Sequence, residues 1–174
     1  MTIIQRTLTL LLALTLILLP LTACGGGKTA YRDDLSADSL SDTISALIPV
    51  EGGYDMLEGE TGESFLKIYF DFDGRYTIDT YAIAASAASS DVNEYGIIHV
   101  NDPKQVAEVE KLAKTYLENQ RDFLSTFVNT YNAAEMAKLE SAAVRVFGNY
   151  VVFTLLSEAD TEAVMSAVEQ ALAE

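Results

Sequence analysis

The chain has 174 residues, 11 basic and 26 acidic, for a net charge of −15. A surface of that sign repels phosphate backbones and anionic headgroups, which excludes a nucleic-acid partner. One cysteine and one histidine exclude an internal disulfide and a zinc site built on paired histidines or cysteines.

At the N-terminus, Arg6 is the only charge ahead of an apolar run from Leu8 to Leu19, broken by Thr9 and Thr15. Twelve helical residues span about 18 Å, short of the roughly 30 Å hydrocarbon core. The segment therefore reads as a secretory signal peptide, residues 1–23, rather than a permanent span. Pro20 ends its helix and leaves extended chain that a peptidase can reach. There Leu21-Thr22-Ala23-Cys24 resembles the lipobox of bacterial lipoproteins. The resemblance implies that Cys24 becomes the first mature residue and carries the lipid, its sulfur being the nucleophile. One acyl chain gives marginal membrane binding, whereas two or more anchor stably. The alternatives are a secreted protein with an incidental cysteine and an uncleaved anchor helix.

Residues 24–35, "CGGGKTAYRDDL", read as the lipidated cysteine and a flexible glycine-rich tether. Without Arg6 the mature chain holds 10 cations against 26 acids, a net charge of −16. The acids are spread along it as a solvated exterior rather than gathered into one docking face.

Residues 36–174 suffice for a single domain with its own core. Leu40, Ile44, Leu47 and Ile48 have helical spacing, with Ser36 or Asp38 to cap the start and Pro49 to stop the helix. "EGGYDMLEGETGES" reads as a loop. "FLKIYFDFDGRY" fits two periods, since Leu66, Ile68, Phe70 and Phe72 alternate while Phe65, Leu66, Tyr69 and Phe70 make a helical face. "IDTYAIAASAAS" and "EYGIIHVN" read as strands joined by "SDVN". Asp102 and Pro103 open a long helix whose stripe is Val106, Val109, Ala113, Tyr116, Leu117, Leu124, Phe127, Val128 and Tyr131. Asn132 and Glu135 frame a capping box for a shorter helix through about Leu139. "AAVRVFGNYVVFTLL" is a hairpin with its two-residue turn at Gly148-Asn149. Ser157 to Asp160 begin a last helix with Ala163, Val164, Ala167, Val168, Ala171 and Leu172 on one face.

Two hairpins, each followed by a helix, predict an α+β domain. It has a small antiparallel sheet, the long and C-terminal helices on one face of it, and an N-terminal helix before it. "NQRDFLSTFVNTY", "AAEMAKLESA" and "VRVFGNYVVFTL", together with the lipobox, resemble a family of small bacterial lipoproteins catalogued as domain of unknown function 4358. The resemblance covers most of residues 38–173. Its signature is an arginine about ten residues before a tyrosine, then a helix and a Gly-x-Tyr hairpin, here Arg121, Tyr131, Gly148 and Tyr150. The chain departs from the family pattern in having Asn132-Ala133 where a proline often follows the tyrosine, and in an insertion-like stretch from Phe70 to Tyr76. The family implies the outer face of a cytoplasmic membrane and no known chemistry.

Arg121, Tyr131 and Tyr150 are the candidate binding residues. The first two are ten residues apart on a helix, about 15 Å along roughly one side. Their structural alternative is that Arg121 pairs with an acidic neighbour while Tyr131 packs under the short helix. Catalytic patterns are thin. Ser64 and Lys67 match S-x-x-K, but the companion S-D-N and K-T-G elements are missing. Asp71, Asp73 and Gly74 imitate the start of a calcium loop, but Tyr69 and Thr80 stand at its first and last ligand positions. His99 lies in an apparent strand with no positioned nucleophile beside it. Glu158 and Glu162 sit one helical turn apart, which means little on so acidic a chain.

No cofactor, metal or catalytic residue is therefore expected. The favoured reading is a lipid-anchored, extracytoplasmic binding or accessory module. It would be held to the membrane through Cys24 and act on an envelope protein or wall component. A small envelope hydrolase with an unrecognised carboxylate or serine site is the alternative. A pocket joining perturbed carboxylates to the sheet would favour the enzyme, and an exposed aromatic patch the module.

Overall fold

A computed structural model describes residues 30–173, with residues 71, 73 and 89 excepted. The signal peptide, Cys24 and the calcium-loop aspartates Asp71 and Asp73 lie outside the described residues. Along the chain come α1 (Ala37–Leu47), β1 (Tyr54–Met56), α2 (Gly59–Tyr69), β2 (Ile78–Ser86), β3 (Glu94–Val100) and α3 (Val106–Tyr131). A 3-10 turn (Ala133–Glu135) then leads into α4 (Met136–Glu140), β4 (Ala143–Phe147), β5 (Tyr150–Leu155) and α5 (Glu158–Ala173).

The class is α+β, built on one antiparallel sheet in the order β1-β2-β3-β5-β4. Both expected hairpins are present. Gly148 turns the second at φ +59°, in the left-handed region that glycine enters freely. The loop before residue 59 also contributes β1, which pairs only with Ala84, Ala85 and Ser86 at the sheet edge. The ambiguous stretch resolves as helix. Its α2 begins at Gly59, buries Leu66 and ends by Phe70, which is fully buried.

The long and C-terminal helices do not share a face. Ile44, Tyr95, Ile97, Val152, Val164 and Val168 form one core between the sheet and α1 with α5. Leu66, Ile98, Val109, Tyr116, Val151 and Phe153 form the other, beneath α2, α3 and α4. The reason is visible in β3 and β5, where every residue after Glu94 and every residue of β5 is buried. Strands that are apolar at consecutive positions need cover on both sides. At the central register Gly96 faces Phe153, and a Cβ there would stand 2.1 Å from its ring. Glycine is what lets that ring lie across the strand.

The helix ends hold further detail. Ser36 caps α1 by accepting from the Ser39 N–H at 3.2 Å. Ser157 Oγ accepts from the Asp160 N–H at 3.2 Å and donates to its carboxylate at 2.6 Å. Asp102 does not cap α3 directly. It accepts from the Lys104 N–H at 3.0 Å and so starts a turn that delivers the chain to Val106. Nor does Glu135 close a capping box on Asn132. Its carboxylate reaches across to the Val92 N–H at 3.0 Å and to Lys138 Nζ at 2.8 Å, which ties α4 to the β2–β3 turn.

Residues 31–35, placed in the tether by composition, belong to the folded unit. Arg32 N–H donates to the Leu172 carbonyl at 2.8 Å. The Tyr31 ring meets Phe147 edge-on at 5.7 Å. This docking sits at the end of the sheet marked by the β4–β5 turn, on the α1/α5 side.

Candidate functional site

The three expected binding residues lie in three different surroundings. Tyr150 is fully buried on the α1/α5 side. Its hydroxyl donates to the Leu35 carbonyl at 2.7 Å and accepts from the Leu35 N–H at 3.2 Å. Arg121 is on α3, across the sheet, and exposed. It lines a 270 Å³ cleft with Leu117, Glu118, Leu139, Ala142 and Val144. Tyr131 ends α3 and is 75% exposed, so it does not pack under the short helix.

Tyr131 instead completes an exposed aromatic row, two of whose members, Phe127 and Tyr131, are expected from periodicity to lie in the buried stripe. Phe123, Phe127 and Tyr131 follow one another at four-residue steps and are 79%, 48% and 75% exposed. The Phe127 and Tyr131 rings lie 4.8 Å apart. Length explains the exposure. The 26 residues of α3 extend about 39 Å, whereas the 7 residues of β3 extend about 24 Å. Val106, Val109, Ala113, Tyr116 and Leu117 meet the sheet. Beyond them the stripe runs on with no strand beneath it, and only Val128 finds full cover. Phe123 sits at the margin of the same stripe, and nothing in the periodicity marks where the sheet stops.

His99 is buried, with its ring stacked on Tyr150 at 4.2 Å and 7°. Its Nε2 is 2.7 Å from Asp33 Oδ1 and its Nδ1 is 3.2 Å from Asp79 Oδ2. Asp79 reaches it because a one-residue bulge interrupts the ladder between Ile78 and Thr80. Asn149 Nδ2 donates to the other Asp33 oxygen at 3.0 Å. A carboxylate occupies the position in front of each ring nitrogen, so neither nitrogen faces a hydroxyl or thiol nucleophile. His99 is a clip that fastens residues 31–35 to the sheet.

Glu94 is the carboxyl that sequence reasoning missed. It lies at the start of β3, and Tyr116 donates to its Oε1 at 2.6 Å. Burial pushes the Glu94 carboxyl up to about 7, against the lowering effect of that hydrogen bond. Burial, then the Glu94 charge, raises the Tyr116 phenol. Phe65, Phe70 and Phe153 rings surround Tyr116 at 5.2 to 5.5 Å. An acid opening an otherwise apolar strand was the available signal. Among the described residues the Tyr116 hydroxyl is the one side-chain group hydrogen-bonded to the Glu94 carboxyl, and Glu94 lines none of the clefts described here.

A second acid-lined cleft, 410 Å³, lies between α1 and β1 and is bordered by Asp38, Asp42, Ser41, Ser45, Tyr54 and Glu58. The buried Tyr54 hydroxyl lacks a hydrogen-bond partner, and burial is the main cause of its raised phenol pKa. Ser64 and Lys67 are both exposed on α2. Glu158 and Glu162 border a 540 Å³ groove beside β4, where Arg145 binds the Glu162 carboxylate. Among the described residues no three His, Cys, Asp or Glu side chains are grouped to hold a metal ion. None of their helices is long and apolar enough to cross a membrane.

A family model described as Domain of unknown function (DUF4358) matches residues 52–156. That is more than half of the chain, which therefore belongs to this family. The matched span holds all five strands, α2, α3 and α4, and leaves α1 and α5 outside. No curated protein and no solved structure matches the chain.

Proposed function

We propose that this DUF4358 protein is a lipid-anchored, extracytoplasmic binding or accessory module of the cell envelope. In this reading Cys24 carries the anchor, and an envelope protein or wall component is bound by the exposed row Phe123, Phe127 and Tyr131. That row is the observation that carries the reading. Three large aromatic rings in line on one helix are costly to leave in water, and such patches mark interaction surfaces. The lipobox-like "LTAC" and the short apolar leader support the location. The hydrolase alternative has weaker support. Glu94 is perturbed but stands apart from the clefts, and His99 has no free ring nitrogen.

The test is a mild crosslinking pull-down of the chain from its own membranes, read by mass spectrometry. A partner captured by the parent chain and lost from a Phe123→Ser, Phe127→Ser double variant of unchanged melting temperature supports the module. Equal capture by both removes the aromatic row from the reading. Labelled palmitate should enter the parent chain and not Cys24→Ser. Label retained by Cys24→Ser would refute anchoring at that residue.

A further inference from the structure

The two edges of the sheet are treated differently. At one, β1 is only three residues long, and the adjoining free part of β2 carries the bulge at Asp79. Short edge strands and bulges are devices that discourage pairing with another chain. The other edge, β4, has neither. Ala143 to Phe147 pair without interruption to β5, and among the described residues the outer side of β4 has no neighbour in the sheet.

The hairpin geometry determines which groups that open side presents. Across a two-residue turn the flanking residues, Phe147 and Tyr150, exchange both backbone hydrogen bonds. Phe147, Arg145 and Ala143 therefore direct their N–H and C=O groups to β5, and Val144 and Val146 direct theirs outward. The strand "AVRVF" is symmetric about Arg145 in its inner positions, with valine on either side. An antiparallel copy centred on Arg145 sets Val144 against Val146 of the other copy, twice. All four outward groups of each strand are then bonded, which is the self-complementarity a two-fold interface needs.

We propose that β4 is a homodimer edge, joining two copies of this chain into one continuous ten-stranded antiparallel sheet. The central Arg145 pair does not oppose it as two bare cations, because each guanidinium is bound to Glu162 of its own α5. Space is present on both faces of the strand, as the clefts bordered by Val144 and by Ala143 show. The two-fold axis is normal to the sheet. It therefore leaves both docked 31–35 segments on one face of the dimer and both aromatic rows on the other.

Register-specific disulfide formation tests the proposal in the full chain with Cys24→Ser, so that a new cysteine is the only thiol. Arg145→Cys places two sulfurs across a non-hydrogen-bonded pair, with Cα atoms about 4.5 Å apart, within disulfide reach. Ala143→Cys puts its copy about 13 Å away along the strands, beyond reach. The expected result is a covalent dimer from Arg145→Cys and none from Ala143→Cys under the same mild oxidation. Light scattering of the parent chain in detergent should also give twice the protein mass of one chain. Val146→Pro removes an outward N–H without touching the ladder to β5, and should return that mass to one chain. Equal crosslinking at 143 and 145, a monomeric parent, or a Val146→Pro chain that stays dimeric would each overturn the proposal.

Discussion

Replacing Glu94 with glutamine should remove most of the difference in stability between pH 5 and pH 8. Glu94 titrates at about 7 in the folded chain against 4.5 for the free side chain. A raised carboxyl pKa means that the folded state prefers the neutral acid. Its contribution is fully present below 4.5 and is lost as pH rises through 7. Complete ionisation costs about 3 kcal/mol, of which roughly 2.5 falls between pH 5 and pH 8. Glu94 keeps partial exposure, and solvent screening reduces the figure to about 2 kcal/mol. Glutamine preserves the neutral shape and an oxygen that accepts from the Tyr116 hydroxyl, but does not ionise. Urea unfolding followed by circular dichroism at the two pH values gives the comparison directly. The parent should lose about 2 kcal/mol more than Glu94→Gln, equivalent to roughly 6 °C in melting temperature for a domain of this size. Taking the difference between the two chains cancels every other titrating group. Parallel pH dependence in both would show that the Glu94 carboxyl is ionised at little cost, and the reasoning would fail.

Three further perturbations probe the scaffold. Gly96→Ala drives a methyl into the Phe153 ring, 2.1 Å from the ideal Cβ, and should cost about 1–3 kcal/mol in urea unfolding. Adding Phe153→Leu should return part of that loss, since the two residues are in contact. Tyr150→Phe deprives both Leu35 backbone groups of their partner. It should cost about 1–2 kcal/mol and speed tryptic cleavage after Arg32, while unchanged cleavage would remove Tyr150 from the clip. Lys138→Met leaves the Asp91 and Glu135 carboxylates, at 2.9 and 2.8 Å from its ammonium, without a cation. Burial alone would lower the Lys138 pKa, but the hydrogen bonds it donates to Glu135 and Asp91 outweigh it. Its removal should cost about 2 kcal/mol, between the values for exposed and fully buried pairs, measured as the shift in urea midpoint.

What could be read from the sequence follows the range of the interactions involved. Ser36, Ser157 and Gly148 act within a few residues of themselves, so their caps and turn were legible. The split of the helices between two faces was also present in principle. "YGIIHV" and "YVVFTL" are apolar at consecutive positions, and a strand covered on one side alternates instead. Other features depend on where distant elements end. Phe127 and Tyr131 obey helical periodicity perfectly well, and their exposure follows from the length of β3, some thirty positions away in the chain. His99 could be placed on a strand, but its partner Asp33 lies in a segment whose composition resembled a linker. Glu135 had the spacing of a capping box and used its carboxylate for a tertiary contact instead.

The clip at His99 changes what an anchor at Cys24 would do. Residues 31–35 are fastened by Tyr31, Arg32, Asp33 and Leu35, so the linker on the lipid-anchored reading shrinks to Gly25 through Ala30. Six residues reach about 21 Å at most, less than the roughly 39 Å length of α3. The domain would then be held close to the bilayer with a preferred side toward it, rather than sweeping a wide volume. Segment 31–35 lies on the α1/α5 side, by the β4–β5 turn. Phe123, Phe127 and Tyr131 lie across the sheet, toward the end where Asn132 bonds the Ser90 carbonyl. On the lipid-anchored reading, a short link on one face and an aromatic row on the other would direct that row away from the lipid, where an envelope partner of the kind proposed could meet it.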